Sequence, residues 1–336
     1  YHQQFISPDG EAAGVASDHF RIGVWWVPAQ LTIMAVSGWF IGLQTTIVPM
    51  TIAITTNIIN IISSIFLAFA LRMGFEGIAY GTLSANWIGA AIAVGWGYSR
   101  LRKMEREIEV KNEGSPSGTP SEKGKIKWSE FFSVNAALFI RSSCIMAVTL
   151  TVTSVGARLG ELTLAANAVI MQFFFFFSYF MDGFAFSGEA LAGRFSGAGK
   201  RDMVIRTMRR LCVWGGVMAL LFFSIYYFGS GRIASLITDT ESVVREISRY
   251  RLWILLLPPV TVAAFIFDGL FVGLTKTRDM MWVTIAGAGV FFMLLFLSGL
   301  TLNNNLLWFA FEAYLFIRGG ALALIFINKF AKKKAY

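Results

Sequence analysis

Residues 167–194 read NAVIMQFFFFFSYFMDGFAFSGEALAGR. The stretch is long and apolar enough to cross a membrane, yet it carries Asp182 and Glu189 before the apolar run has ended. At 100° per residue, Asn167, Ser178, Asp182 and Glu189 fall within a stripe of roughly 60°, and the phenylalanines cover the other faces. The segment reads as a spanning helix with a polar seam turned toward neighbouring helices or water, because hydrocarbon offers a carboxylate no partner.

The rest of the chain has the same character. Of its 336 residues 56% are hydrophobic and 15% charged, whereas charged residues make up roughly a quarter of a soluble domain. Nine apolar runs are long enough to span a bilayer: 22–43, 49–71, 78–98, 130–154, 164–190, 211–229, 252–273, 281–300 and 307–328. The fold class is therefore all-α, a polytopic membrane protein. Cys144 and Cys212 both fall inside predicted spans, so a disulfide framework is not expected. The histidines, His2 and His19, precede the first span, which leaves no intramembrane His/Cys cluster for a metal. No Walker-type phosphate loop occurs.

The net charge of +9 is explained by its placement. With the nine spans alternating, one side collects 20 basic residues, in 99–128, 191–210, 274–280 and 329–336. The other side holds 7 basic against 8 acidic residues. Lys and Arg concentrate on the cytoplasmic side, so the excess is an orientation signal and not a nucleic-acid surface. The amino terminus is then placed outside, with no signal peptide ahead of it. The leader YHQQFISPDGEAAGVASDHF reads as a loop that follows helices not present in this sequence.

An internal repeat points the same way. PAQLTIMAVSGWFIGLQTTIVPMTIAI (28–54) and PVTVAAFIFDGLFVGLTKTRDMMWVTI (259–285) share eight identities without a gap. Pro28, Gly38, Phe40, Gly42, Leu43, Thr46, Met50 and Ile54 match Pro259, Gly269, Phe271, Gly273, Leu274, Thr277, Met281 and Ile285. The first span thus pairs with the seventh in the same orientation, and parallel repeats of this kind build transporters that rock two bundles around a central site. Three helices precede the repeated one in the second half and none in the first, so a symmetric parent would have twelve. Residues 1–98 form a partial amino-terminal lobe, 99–128 a cytoplasmic linker and 129–336 a six-helix lobe. LRKMEREIEV, at the start of the linker, continues the third helix.

GWFIGLQTTIVPM, NIINIISSIF, GIAYGTLSANWIG, ARLGELTLAANAVIMQF, YFMDGFAFSGEALAGR and FDGLFVGLTKTRDM resemble the multidrug and toxic compound extrusion (MATE) family, in its DinF-like branch. The likeness runs over nearly the whole chain and is strongest in 160–200 and 265–280. It implies the fourth to twelfth helices of a twelve-helix, V-shaped, two-lobe fold in a bacterial inner membrane. It further implies secondary antiport, in which an organic and often cationic, amphipathic substrate leaves as protons or sodium ions enter. No cofactor and no obligate protein partner is implied; the partners are the substrate, the coupling ion and membrane lipid.

In DinF-like relatives the proton-linked network joins an aspartate on the first helix to polar residues on the fifth and sixth. Here Asn60 matches the network asparagine and Thr82 the network threonine. Ser64 stands where an aspartate is usual, and Asn86 where a glutamate is common. Two carboxylates are replaced by neutral side chains, which puts the usual proton route in doubt.

Read from spacing alone, Asn57, Asn60 and Ser64 share one helical face, and so do Thr82 and Asn86. Cavity lining and interhelical hydrogen bonding satisfy them equally. Asp182 and Asp268 are the candidate coupling carboxylates, with Arg141 placed to neutralise either. Such a pair serves equally as a structural lock. Glu189 lies where it can reach water or Arg194, and Glu312 with Arg318 offers a second pair. Pro258-Pro259, ahead of Asp268, reads as a helix-breaking pair. Two other classes stay open: a lipid-linked precursor flippase, which needs a strongly basic cavity, and a membrane enzyme, for which no Ser-His, Cys-His or metal set is available.

Overall fold

A computed structural model of the chain describes residues 20–45, 47–113, 128–299 and 303–331. The leader before residue 20, Thr46 of the repeat, linker residues 114–127 and the basic tail beyond 331 lie outside the described residues. Among those described there are nine helices long and apolar enough to cross a membrane, and no strand. The chain divides into two compact units, Tyr1–Lys125 and Ile126–Tyr336.

The first unit contains α1 (Val27–Gly42), α2 (Ile47–Ile65) and α3 (Gly74–Glu113). LRKMEREIEV lies within α3, so this helix runs well past the length a bilayer needs. α2 ends in a π-helical turn, Phe66–Ala70. Small residues at four-residue intervals on α3 let the two backbones touch. A Cβ at Gly77 would meet the Ala68 backbone nitrogen at 2.6 Å, and one at Gly81 the Ser64 Cα at 2.6 Å. Ala85 continues the stripe, fully buried. In lipid, where apolar side chains gain little by meeting one another, such close approach holds helices together.

The second unit contains α4 (Trp128–Arg158), α5 (Glu161–Gly197), α6 (Arg201–Ile237), α7 (Glu241–Arg249), α8 (Arg251–Gly273), α9 (Thr277–Ser298) and α10 (Asn304–Phe326). α5 and α6, at 37 residues each, are about 55 Å long against roughly 30 Å of hydrocarbon. Both are therefore longer than a crossing needs, and the six basic residues of 191–210 assign excess length to the turn that joins them. The predicted loop 230–251 holds α7, a short amphipathic helix anchored by buried Glu246. That carboxylate accepts from Arg249 (2.9 Å) and from the Tyr250 hydroxyl (3.2 Å). Burial pushes the Tyr250 phenol above its ordinary range.

α8 is the axis of this unit, packed against α5, α6 and α10. It runs unbroken through Pro258 and Pro259, contrary to their reading as a helix break. Enclosure by neighbouring helices makes a proline-interrupted ladder tolerable within a membrane. The contact with α5 is backbone on backbone: a Cβ at Gly269 would fall on Ala185, and one at Gly273 on Glu189. The five phenylalanines of α5 divide accordingly. Phe173 and Phe177 are buried, Phe174 and Phe175 half-buried, and Phe176 exposed. Phe173 meets Tyr226 of α6 edge-on at 5.0 Å, and the Tyr226 hydroxyl donates to the Phe173 carbonyl.

The repeat is visible in the backbone. After α1 the N–H groups of Leu43, Gln44 and Thr45 donate to the carbonyls of Trp39, Ile41 and Phe40. After α8 those of Leu274, Thr275 and Lys276 donate to Leu270, Val272 and Phe271, the repeat-equivalent carbonyls. Gln44 and Thr275, which correspond, are both left-handed, with φ 59° and 55°. The surroundings differ, since Gly38 and Gly42 have open space where Gly269 and Gly273 have α5.

Gly269→Ala is expected to cost about 1–3 kcal/mol by forcing α8 and α5 apart. Gly289→Ala on α9, where an added Cβ meets nothing within 4 Å, is expected to be neutral or stabilising by up to about 1 kcal/mol. Thermal unfolding of the purified protein in detergent compares the two, and equal melting temperatures would contradict the close packing.

Candidate functional site

Two arginines of the second unit converge on Asp268, in the last two turns of α8. Beside it Gly269 brings α8 against α5, which sets the depth of the carboxylate. Arg141 from α4 reaches Asp268 Oδ2 at 2.5 Å, and Arg318 from α10 donates to the same oxygen. Arg318 also donates to the Tyr314 hydroxyl at 3.3 Å and lies over that ring, 5.6 Å from its centroid. Asp268 and Arg318 are each 7% exposed. Asp268 Oδ1 and the Nε atoms of both arginines have no partner.

Two guanidinium groups around one carboxylate leave a net positive charge, so the arrangement repels a small cation. It ties three helices to one point. Arg141 thus goes to Asp268, the sequence alternatives having been Asp182 and Asp268. The second pair read from sequence, Glu312 with Arg318, does not form. These residues are six apart, about 240° around the helix.

Glu312 is 5% exposed, and neither carboxylate oxygen has a partner among the described residues. One heptad either side of it on α10, Asn305 accepts from Trp253 of α8 and Gly319 would meet Ala263 and Ala264 of α8. Glu312 therefore belongs to the face turned toward α8. Its solitude was not legible in the sequence, where Arg318 stood nearby as an apparent partner.

The polar seam of α5 separates into three environments. Asn167 is buried and exchanges amide hydrogen bonds with Asn304 of α10, at 2.7 and 2.9 Å, while accepting from Trp308 Nε1. Ser178 turns its hydroxyl back to the Phe175 carbonyl. Asp182 and Glu189 are half-buried, and neither carboxylate accepts a hydrogen bond from a described residue.

In the first unit, Asn60 Oδ1 accepts from Ser64 at 3.0 Å and from Thr82 of α3 at 3.5 Å. Ser63, which spacing did not single out, crosses to the Gly81 carbonyl at 3.1 Å. Asn86 is buried and donates to the Thr82 carbonyl, closing on its own helix. Asn57 is exposed. The network is neutral throughout. No group of His, Cys, Asp or Glu suited to a metal occurs among the described residues.

The described spans of this polytopic helical protein thus enclose paired charges and neutral polar networks. The MatE family model matches residues 137–297, which takes in both stretches where the resemblance was strongest. Over 303 residues the chain is 31% identical to DNA damage-inducible protein F of Escherichia coli (strain K12), covering 89% of this chain and 63% of that protein. It is 26% identical to Protein DETOXIFICATION 42 of Arabidopsis thaliana, covering 87% of this chain and 54% of that one.

Solved structures share the fold. A MATE protein in the straight conformation superimposes with a TM-score of 0.76 at 14% identity, over 96% of this chain and 71% of that one. The Vibrio cholerae MATE transporter VcmN in the bent form gives 0.69 at 17% identity, over 91% and 68%. Together these likenesses support a MATE family reading of the chain, in the DinF-like branch. The chain spans between about half and two thirds of the length of these two curated relatives.

Removing one member of a buried ion cluster strands the others, at a cost of about 3–5 kcal/mol. Asp268→Asn is therefore expected to lower the melting temperature sharply. Glu312→Gln, which replaces an unpaired buried carboxylate by a neutral amide, is expected to leave it unchanged or raise it. The reverse order would show that Asp268 is not the structural charge of this unit.

Proposed function

We propose that the protein is a secondary active antiporter. It exports organic, often cationic and amphipathic compounds in exchange for protons or sodium ions, by alternating access, as a multi-pass protein of the bacterial inner membrane. Likeness to the MatE family carries this reading, and the polar interior of the spans supports it. No cofactor and no enzymatic step is part of this reading.

The geometry divides the labour among the buried acids. A coupling carboxylate must take up and release its ion, and so needs an open coordination position. Asp268 gives one oxygen to two arginines and is reserved for holding α4, α8 and α10 together. Asp182 and Glu189 are both half-buried and without a donor among the described residues, whereas Glu312 is as unpartnered but enclosed. Of the two half-buried acids, Asp182 lies deeper in the predicted span 164–190. We assign it the coupling role in the second unit. Asn60, Ser64 and Thr82 offer neutral oxygens that line a hydrated path in the first unit, where Ser64 and Asn86 replace the family's acids. An ion bound at Asp182 and a substrate bound in the interior favour different arrangements of the protein, which is the energetic requirement for exchange.

Cells expressing the complete gene are expected to extrude a cationic dye, and an ionophore that collapses the ion gradient is expected to stop it. Asp182→Asn should abolish the gradient-driven part, a loss of tenfold or more, while leaving the melting temperature within a few degrees of wild type. Export by Asp182→Asn at the wild-type rate would remove this residue from the coupling role. Dye extrusion indifferent to the gradient would remove antiport itself.

A further inference from the structure

A groove of about 460 Å³ lies along the exposed contact between α5 and α6, at the end of these helices nearest the turn that joins them. It runs beside α5 from Phe180 to Phe195, about 22 Å of helix. The predicted span 164–190 centres about a turn before Phe180, which puts the start of the groove near mid-membrane. A single leaflet's hydrocarbon is roughly 15 Å deep, so the groove emerges beyond the interface. Its deep part is apolar, walled by Phe180, Phe184 and Met218. Gly183, with nothing within 4 Å of an added Cβ, keeps that wall open. Trp214 stands between the two ends and is 63% exposed, a position that suits an indole at a membrane interface.

The outer part is cationic. Arg206 and Arg210, one turn apart on α6, both line the groove, and no acidic residue does. Neither forms an ion pair with a described residue; the ion pairs of the second unit involve other side chains. Asp202, a turn before Arg206, is exposed and makes no such bridge. Ser187 and Thr207 also line this part, and their hydroxyls donate to their own helices, to the carbonyls of Gly183 and Met203. Two free guanidinium groups are thus the donors on offer, and a phosphate is the group they match in charge and geometry.

We propose that this groove binds an anionic phospholipid, with the headgroup phosphate on Arg206 and Arg210 and an acyl chain laid along Phe180, Phe184 and Met218. Inside a lip formed by Phe195 and Met203, the wall runs from the charges of Arg206 and Arg210 past Trp214 to Phe180, Phe184 and Met218, which is the headgroup-to-chain order of such a lipid. Basic recesses between spans select anionic headgroups in this way, with a contribution from each arginine. The site is independent of the transport reading, since it uses none of the residues assigned to coupling.

The test reconstitutes the protein into nanodiscs containing equal amounts of phosphatidylglycerol and phosphatidylcholine, extracts it in mild detergent and counts retained lipid by native mass spectrometry. The wild type is expected to retain phosphatidylglycerol roughly tenfold in preference. Arg206→Gln/Arg210→Gln is expected to lose that preference, and Arg232→Gln, at the far end of α6, to keep it. Both arginines of the groove are exposed, so the double variant should keep its wild-type melting temperature. Equal retention of the two lipids by the wild type, or an unchanged preference in the double variant, overturns the site. Displacement of phosphatidylglycerol by millimolar glycerol phosphate also overturns it, because the groove would then recognise an ion and not a lipid.

Discussion

Hydrocarbon cannot solvate a charge, and the second unit is organised around the way one carboxylate is satisfied without water. Asp268 draws a guanidinium from α4 and another from α10 onto a single oxygen, so three helices distant in sequence are committed to one point. The glycine that follows it lets α8 press against the backbone of α5, and that contact places the carboxylate where both arginines reach. The elements are interdependent. A bulkier residue at position 269 would displace Asp268, and a neutral residue at 268 would strand Arg141 and Arg318 in the interior.

Much of this architecture was legible in the sequence because the bilayer imposes a length and a polarity that composition reveals directly. The nine spans are consequences of that constraint, and the continuation of the third span through LRKMEREIEV is present as helix in α3. The amphipathic helix Glu241–Arg249 was not found. It is too short and too polar to register as a span, and it sat in a stretch read as a loop. The proline pair in α8 misled for a related reason: a lost hydrogen bond is a local property, whereas the helix is held by packing from all sides.

The candidate site was only partly readable. Asp268 and Arg141 stand 127 positions apart, and Arg318 another 50 beyond Asp268. No local pattern says which acid an arginine will choose. Spacing did gather Asn60, Ser64, Thr82 and Asn86 onto shared faces, but Asn86 turned to its own backbone and Asn57 to the exterior. Glu312 shows the limit most clearly. With Arg318 close by in sequence it resembled half of a pair, and helical periodicity places the two on different faces. The repeat was likewise legible as identities, and the backbone reproduces them down to the left-handed residues Gln44 and Thr275. What the equivalent glycines pack against is not shared.

The proposed division of labour rests on these contacts: structure is assigned to the acid claimed by two arginines, and coupling to the half-buried Asp182. The most direct measurement is a double-mutant cycle on thermal unfolding, combining Asp268→Asn with Arg318→Gln. If the carboxylate is the tie, the two losses are strongly non-additive, with a coupling of about 2 kcal/mol or more, because the second substitution removes a charge that the first has already stranded. Additive losses would mean that Asp268 and Arg318 act separately, and the structural role given to this cluster would be wrong.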